Sequence, residues 1–219
     1  MFQTALADTL PRSFLRDPSG HCTHSTPAAN LSEAFMHGVI LTELEKFVTQ
    51  HHGADAWREV QRRAELPARI YVTSATYPDS DVVALIGAAS ALSGKPASEV
   101  MEAFGEAIVP GLLQVYGRMV KKGWRTLDVL EHTEAAIHTV IRRQTPGAEP
   151  PQLSCVRSNP GEVIVTYGSS RRMCAVAKGI IRGIAAHFGE RILVQEPQCM
   201  LKGAGECRIS VRLTGLTAS

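Results

Sequence analysis

Between Met36 and Arg143 the apolar residues of this chain recur at helical spacing. Beyond Pro150 they fall in short β-type runs bounded by turn residues. Ile40, Leu44 and Phe47 share one helix face, with Val39 and Val48 beside them, in a stretch from Met36 that stops near Gly53. Ala56–Arg63 predicts a second, short helix with Trp57 and Val60 turned inward, and Tyr71–Tyr77 reads as turn or short extended structure. A third helix is expected over Ser80–Ser93, where Val83, Leu85, Ile86 and Leu92 are apolar and Gly94 closes the run. Ala97–Ile108 follows, opening at Ser98 with Glu99 and Glu102 in its first turn, where acids complement the helix dipole. Leu112–Lys121 and Arg125–Arg143 complete the helices, separated by Gly123, before Pro146 and Pro150-Pro151 end the helical half.

Leu153–Arg157 and Glu162–Gly168 are β-type runs flanking Asn159-Pro160-Gly161, a hairpin signal. A helix is expected over Met173–Phe188. Two more strands, Arg191–Glu196 and Glu206–Leu213, flank a Gly203-Ala204-Gly205 turn. The pattern predicts an α+β fold: a helical N-terminal half followed by a four-stranded antiparallel sheet with one inserted helix. Residues 1–35 carry Pro11, Pro18 and Pro27 with little periodicity and read as a poorly ordered extension, in which His21, Cys22 and His24 belong to a solvated tail. The domain proper spans 36–213, with a tail over 214–219, and no internal repeat is present.

Composition narrows the class of function. Hydrophobic residues make up 44% of the 219 and charged residues 20%, enough apolar material to line a pocket as well as a core. A formal net charge of +2, with no basic cluster interleaved with aromatics, gives no reason to expect nucleic acid as a partner. No apolar run reaches the roughly 20 residues of a membrane span, and the N-terminus lacks a signal-type apolar core, so a cytoplasmic protein without membrane contact is expected. The cysteine count, 5, is odd and argues for thiols or metal rather than a disulfide framework.

His138 lies in the Arg125–Arg143 helix. Leu127, Glu134 and Ile141 share roughly its face, and Leu130 and Ile137 flank it. A lone histidine on such a face is ordinarily a satisfied core or surface residue. Its company changes the reading. Pro150-Pro151 follows shortly downstream, and Tyr167-Gly168-Ser169-Ser170-Arg171 places a phenol, a hydroxyl and a guanidinium at every second residue. On a strand these would project from one face. Three donors so arranged suit a pair of carboxylates, and haem is the cofactor that needs both an axial imidazole and a grip on two propionates.

From Met36 to Leu213 the chain resembles the haem nitric oxide/oxygen binding (H-NOX) family, the fold also used by the haem domain of soluble guanylate cyclase. The resemblance rests on Tyr167-x-Ser169-x-Arg171 behind His138 and the double proline, on the opening Met36-His37-Gly38-Val39-Ile40, and on Ala103-Phe104-Gly105. It implies haem b held between the helical half and the sheet. His138 would be the proximal iron ligand, Pro151 would pack on the haem face, and Tyr167, Ser169 and Arg171 would hold the propionates. Family members that retain dioxygen carry a tyrosine on the helix after the clamp, where this chain has Val176. With Ile40, Leu44, Ile108, Leu112 and Ile180 as further apolar liners, the resemblance implies binding of NO and CO and exclusion of dioxygen. It further implies a switch, in which NO on the opposite face weakens the bond to His138, the ligand helix shifts and Pro151 relaxes. No catalytic segment follows Leu213, so a sensor rather than an enzyme is expected, signalling to a separate effector such as a histidine kinase or a cyclic-di-nucleotide enzyme. A small haem peroxidase would need a distal acid–base pair, which the expected distal wall does not offer.

Cys174, Cys199 and Cys207 form a second constellation, the last two on either side of the glycine turn. A subset of the family holds zinc in a similar arrangement, completed by a histidine three residues before the middle cysteine. Here Glu196 stands at that position, which implies a site of three thiols and a carboxylate, or a redox-sensing thiol group. Cys155 reads as a small apolar residue. Paired cysteines around a glycine turn also resemble the ending of the related vinyl-reductase-type small-molecule-binding domains. The alternative is therefore a non-haem small-molecule or zinc/thiol redox module.

Overall fold

The computed structural model describes residues 35–216. The expected extension before Phe35, with His21, Cys22 and His24, and the last three residues lie outside it. Phe35–His37 forms β1, which pairs antiparallel with β2, Thr76–Pro78. Between them run α1 (Gly38–His52) and α2 (Ala54–Arg63). The helical half continues with α3 (Asp79–Ser93), α4 (Ala97–Ala107), α5 (Val109–Tyr116) and α6 (Thr126–Thr133). These follow the apolar periodicity, except that α5 starts three residues before the expected Leu112 and ends at Tyr116 rather than Lys121. Trp57 and Val60 are buried as expected, whereas Val83 and Leu92 of α3 face outward.

The last helix of this half departs from the expected single run over Arg125–Arg143. After α6 comes one π-turn, Glu134–His138, and then α7, Thr139–Gln144. The Thr139 amide bonds the Glu134 carbonyl, and the Thr139 hydroxyl donates to the same oxygen at 3.0 Å. One extra residue shifts the downstream apolar positions by one, and a single such shift is hidden in the ordinary alternation of i+3 and i+4 spacings.

The sheet has the order β3-β4-β6-β5 and is antiparallel throughout, from β3 (Gln152–Asn159), β4 (Glu162–Gly168), β5 (Glu190–Gln198) and β6 (Cys207–Leu216). Helix α8 (Cys174–His187) is inserted between β4 and β5. Along β4, alternation buries Val163, Val165 and Tyr167 on one face. These join Leu127, Val129 and Leu130 of α6, Ile181 and Ile184 of α8, and Ile209 and Val211 of β6 in one apolar cluster. A second cluster, around Leu41, Leu44, Leu85, Phe104 and Ile108, fills the helical half, and Ile180 of α8 packs against both. Helix α8 approaches α4 at close range, because Gly105 and Gly179 face each other there without side chains. Among the described residues no helix is long and apolar enough to cross a membrane.

Candidate functional site

The two clusters leave a cavity of about 250 Å³ between them. Val39 and Ile40 of α1, Leu112 and Leu113 of α5, and Met173, Val176 and Ile180 at and along α8 line it from the helical side. Thr133 at the end of α6, Ile137 and His138 of the π-turn and Ile141 of α7 line it from another side, and Leu153, Cys155, Val165 and Tyr167 from the sheet. It opens past Pro150, Pro151, Ser169 and Arg171 into a polar vestibule that also holds Glu134, Arg142 and Gly168. The site thus suits a ligand with a flat apolar body and an anionic edge.

His138 stands in the cavity wall with its side chain 13% exposed, and its Nδ1 lies 3.1 Å from Glu134 Oε2. Burial pushes its pKa below the ordinary imidazole value and outweighs the hydrogen bonds to Glu134 and to the Pro151 backbone, which work the other way, so the neutral ring that a metal requires is favoured. Burial alone would raise the Glu134 carboxyl. The hydrogen bonds from Arg142, His138 and the Leu153 amide outweigh it and hold the carboxyl below its usual range.

Tyr167, Ser169 and Arg171 come together at the cavity by a route different from the one expected. Strand β4 ends at Gly168, so only Tyr167 projects by strand alternation. Ser169 and Arg171 sit on a turn closed by the Arg172 amide on the Ser169 carbonyl at 3.1 Å, with Arg172 at φ 55°. Arg171 Nε lies 2.6 Å from Asp79 Oδ2, its Nη2 donates to the Phe35 carbonyl at 3.1 Å, and its Nη1 donates to the Glu149 carbonyl. A guanidinium has five donors. These contacts orient the group and leave donors over for an anion. Tyr167 is buried, which raises its pKa and keeps the phenol protonated as a neutral donor, with a hydrogen bond to Ser169 pulling the other way.

Ile40, Leu112, Val176 and Ile180 line the cavity, but Leu44 and Ile108 do not. Both are fully buried in the helical cluster, Leu44 one turn further along α1 than Ile40 and Ile108 at the end of α4, behind the wall rather than in it. Conversely, His37 and Tyr116 bring polar groups to a lining that sequence patterning makes apolar. Their rings meet edge to face at 6.4 Å, and the Tyr116 hydroxyl is buried without a hydrogen-bond partner. Burial lowers the pKa of His37 and raises that of Tyr116, so both are neutral. No local pattern marks this pair, because β1 and α5 meet only through the fold.

At the N-terminus of α8, Cys174 comes together with Glu196, Cys199 and Cys207, and their ligand atoms lie within 4.8 Å of one another. Cys199 Sγ lies 3.8 Å from both Cys174 Sγ and Cys207 Sγ. Tetrahedral zinc with Zn–S bonds of about 2.3 Å separates its sulfurs by ~3.8 Å. Glu196 Oε2 is engaged by Lys178 at 3.1 Å, while its Oε1 is buried with no hydrogen-bond partner. Burial raises the pKa of Cys174 and Cys207, and the Met200 amide on Cys207 at 3.3 Å partly offsets it there. Three buried thiols and an orphaned carboxylate oxygen fit a cation that would displace the thiol protons.

This geometry has close counterparts among known proteins. The chain is 25% identical over 138 residues to soluble guanylate cyclase 89Da of Drosophila melanogaster and 23% identical to soluble guanylate cyclase 89Db of the same fly, spanning 62% of this chain and 20% of each relative. It thus covers about a fifth of these larger proteins. Among solved structures it superposes on an H-NOX protein from S. oneidensis in the Fe(II)NO ligation state with a TM-score of 0.77, at 25% identity, covering 82% of this chain and 100% of the other. An H-NOX from T. tengcongensis, a mutant form, shares the fold at a TM-score of 0.73 and 20% identity, covering 84% and 100%. The model of the haem-NO-binding family matches residues 37–196, which take in His138, the double proline, the clamp and Val176. By that match and by its fold, the chain belongs to the haem-NO-binding (H-NOX) family of haem-binding gas-sensor domains.

Proposed function

We propose that this chain is a haem-based sensor of NO that also binds CO, excludes dioxygen, and signals to a separate effector without catalysis of its own. One observation carries the reading: a partly buried His138 faces an apolar cavity that is lined by Tyr167 and opens past Ser169 and Arg171. His138 would hold the metal, Pro151 would bear on the haem face, and the three clamp residues would hold the propionates. Ferrous haem b would supply a metal that takes diatomic gases. The chain's part is to orient the imidazole, keep water out with Ile40, Leu112, Val176 and Ile180, and anchor the anionic edge. A histidine kinase or cyclic-di-nucleotide enzyme is the class of effector proposed, and the cytoplasm the compartment.

Val176 offers no donor to a bound gas, and dioxygen, which draws negative charge onto itself, needs one. Among the polar groups on the lining, Tyr116 and His37 test this, and Tyr116 is already turned toward His37. The deciding measurement is the absorption spectrum of reduced protein exposed to NO, CO and air. A Soret band with NO and CO complexes, and no stable dioxygen complex in the wild type or in Tyr116→Phe, is expected. Protein that takes up no haem on reconstitution sinks the reading. A wild-type dioxygen complex that disappears in Tyr116→Phe overturns the exclusion of dioxygen and makes Tyr116 the donor.

The thiol cluster is proposed as a zinc site of Cys174, Cys199, Cys207 and Glu196, supported by the sulfur spacing and the free Glu196 Oε1. It joins the start of α8 to β5 and β6, so oxidation of a ligand would loosen the end of the sheet and add a thiol-redox input. Carefully reduced protein should carry about one equivalent of zinc, and a chelator should lower its melting temperature. Zinc at a small fraction of an equivalent rejects the site and leaves a non-haem-type thiol redox module as the reading of this corner.

A further inference from the structure

The π-turn of the ligand helix begins at Glu134 and ends at His138. Those two side chains bond each other, Nδ1 to Oε2 at 3.1 Å. The same carboxylate has two further partners from other places in the chain. The Leu153 amide, in β3 just beyond Pro151, donates to Oε2 at 3.2 Å, and Arg142 of α7 donates to Oε1. Glu134 is therefore fixed from three directions. One is the imidazole, one is the sheet edge that follows the double proline, and one is the next turn of helix. An ordinary exposed i,i+4 pair is worth little and wanders among rotamers. A carboxylate held by three donors does not.

We propose that Glu134 is the positioning residue of His138, accepting a hydrogen bond from Nδ1–H so that Nε2 is the nitrogen offered to the metal, and strengthening that bond by making the imidazole a better donor. This rests on the reading of His138 as the haem ligand. The chemistry is that of outer partners of metal-bound histidines in general. A carboxylate on the far nitrogen fixes the tautomer and raises ligand basicity, and its loss costs about 10–100-fold in affinity for the metal group. No proton leaves the imidazole in this arrangement. The hydrogen bond only shifts electron density toward Nε2. The consequence for a gas switch is directional: Glu134 holds His138 on the metal, so release of the histidine is harder in this chain than it would be with an apolar residue at the same place. Because Leu153 and Arg142 share the carboxylate, any movement of the ring is felt at the start of β3 and along α7.

Two measurements test it. In haem-free protein, nitrogen NMR should find His138 as the Nδ1–H tautomer, and Glu134→Ala should return it to the commoner Nε2–H form. In the ferrous haem protein, the iron–histidine stretching band in resonance Raman should shift to lower frequency in Glu134→Gln. That variant keeps an acceptor for Nδ1 and Leu153 but loses the charge. Haem affinity should fall by about tenfold. Arg142→Gln breaks the tie to α7 while leaving the imidazole bond, and should not lower the band. Should Glu134→Gln fail to fold, Glu134→Asp, which lengthens the bond to the ring, should shift the band the same way. An unmoved band in Glu134→Gln, or an equal downward shift in Arg142→Gln, reduces Glu134 to a structural tie and overturns the proposal. A wild type that binds no haem overturns the ligand reading itself, while the NMR result still reports on the Glu134–His138 bond.

Discussion

Haem uptake by the His138→Gly protein is expected to depend on added imidazole. The ring it removes is a partly buried side chain in the cavity wall, with Nδ1 already engaged by Glu134. Its removal leaves a hole of the same shape beside a carboxylate that has lost one of its three donors. Free imidazole fits the hole, can donate to Glu134 with one nitrogen, and can offer the other to the metal. Without imidazole, haem affinity should fall by at least about tenfold, one decade corresponding to 1.4 kcal/mol. Glycine at this point of a helix costs about 1 kcal/mol, too little to unfold the domain, so circular dichroism should be unchanged. The ferrous absorption spectrum with and without imidazole is the readout. A His138→Gly protein whose ferrous spectrum matches the wild type without imidazole has another ligand. The rescued protein regains the bond but not the covalent tether, so gas binding in it should no longer move the Glu134–His138 turn.

How much of this was legible in the sequence follows from the range of the signals. Helices α1 to α6 and strands β3 to β6 announce themselves through apolar periodicity and through Asn159-Pro160-Gly161, which act over a few residues. The pairing of β1 with β2 does not. Each is three residues long, too short for alternation to register, and α1 and α2 separate them. The same distinction runs through the site. His138, Pro151, Tyr167, Ser169 and Arg171 were found together because their spacing carries a family resemblance, and the fold brings all of them to one cavity. The contacts that orient them were invisible. Asp79 reaches Arg171 from α3, and the Phe35 carbonyl reaches it from β1. The bond from Glu134 to His138 is the exception, readable as an i,i+4 pair on a helix face.

Apolar residues near the pocket show the limit most clearly. Ile40 and Leu44 sit on the same stripe of α1, and sequence treats them alike. Ile40 reaches the cavity while Leu44 is buried in the core behind it. A wall and a core have one composition, and only the direction in which the helix runs past the cavity separates them. Tyr116 makes the converse point: it lies within the expected Leu112–Lys121 helix without any mark of a pocket residue and brings a hydroxyl to the lining.

The largest stability effect is expected at Gly179, where a side chain has nowhere to go. A Cβ there would lie 2.0 Å from the Glu102 carbonyl oxygen, 2.8 Å from the Glu106 amide nitrogen and 2.9 Å from the Gly105 Cα. All are backbone atoms of α4, so no rotamer change relieves the clash and the two helices must part. Overpacking of a core costs about 1–3 kcal/mol, and a backbone clash belongs at the upper end. For a domain of this size, ~3 kcal/mol corresponds to a fall of about 6–12 °C in melting temperature. Gly179→Val should show it in thermal denaturation. Gly87, in α3, is the control. It is exposed with nothing within 4 Å of its Cβ position, so Gly87→Ala should stabilise by about 0.5–1 kcal/mol through helix propensity alone. The two glycines are thus expected to move stability in opposite directions. Function should follow Gly179 and not Gly87, because α8 carries Val176 and Ile180 in the cavity wall and Cys174 in the thiol cluster. Pushing α8 away from α4 displaces both, so Gly179→Val should lose haem faster and hold zinc less tightly than the wild type. A Gly179→Val protein melting within a degree or two of the wild type would mean that α4 and α8 do not cross this closely, and the cavity wall built on that crossing would have to be redrawn.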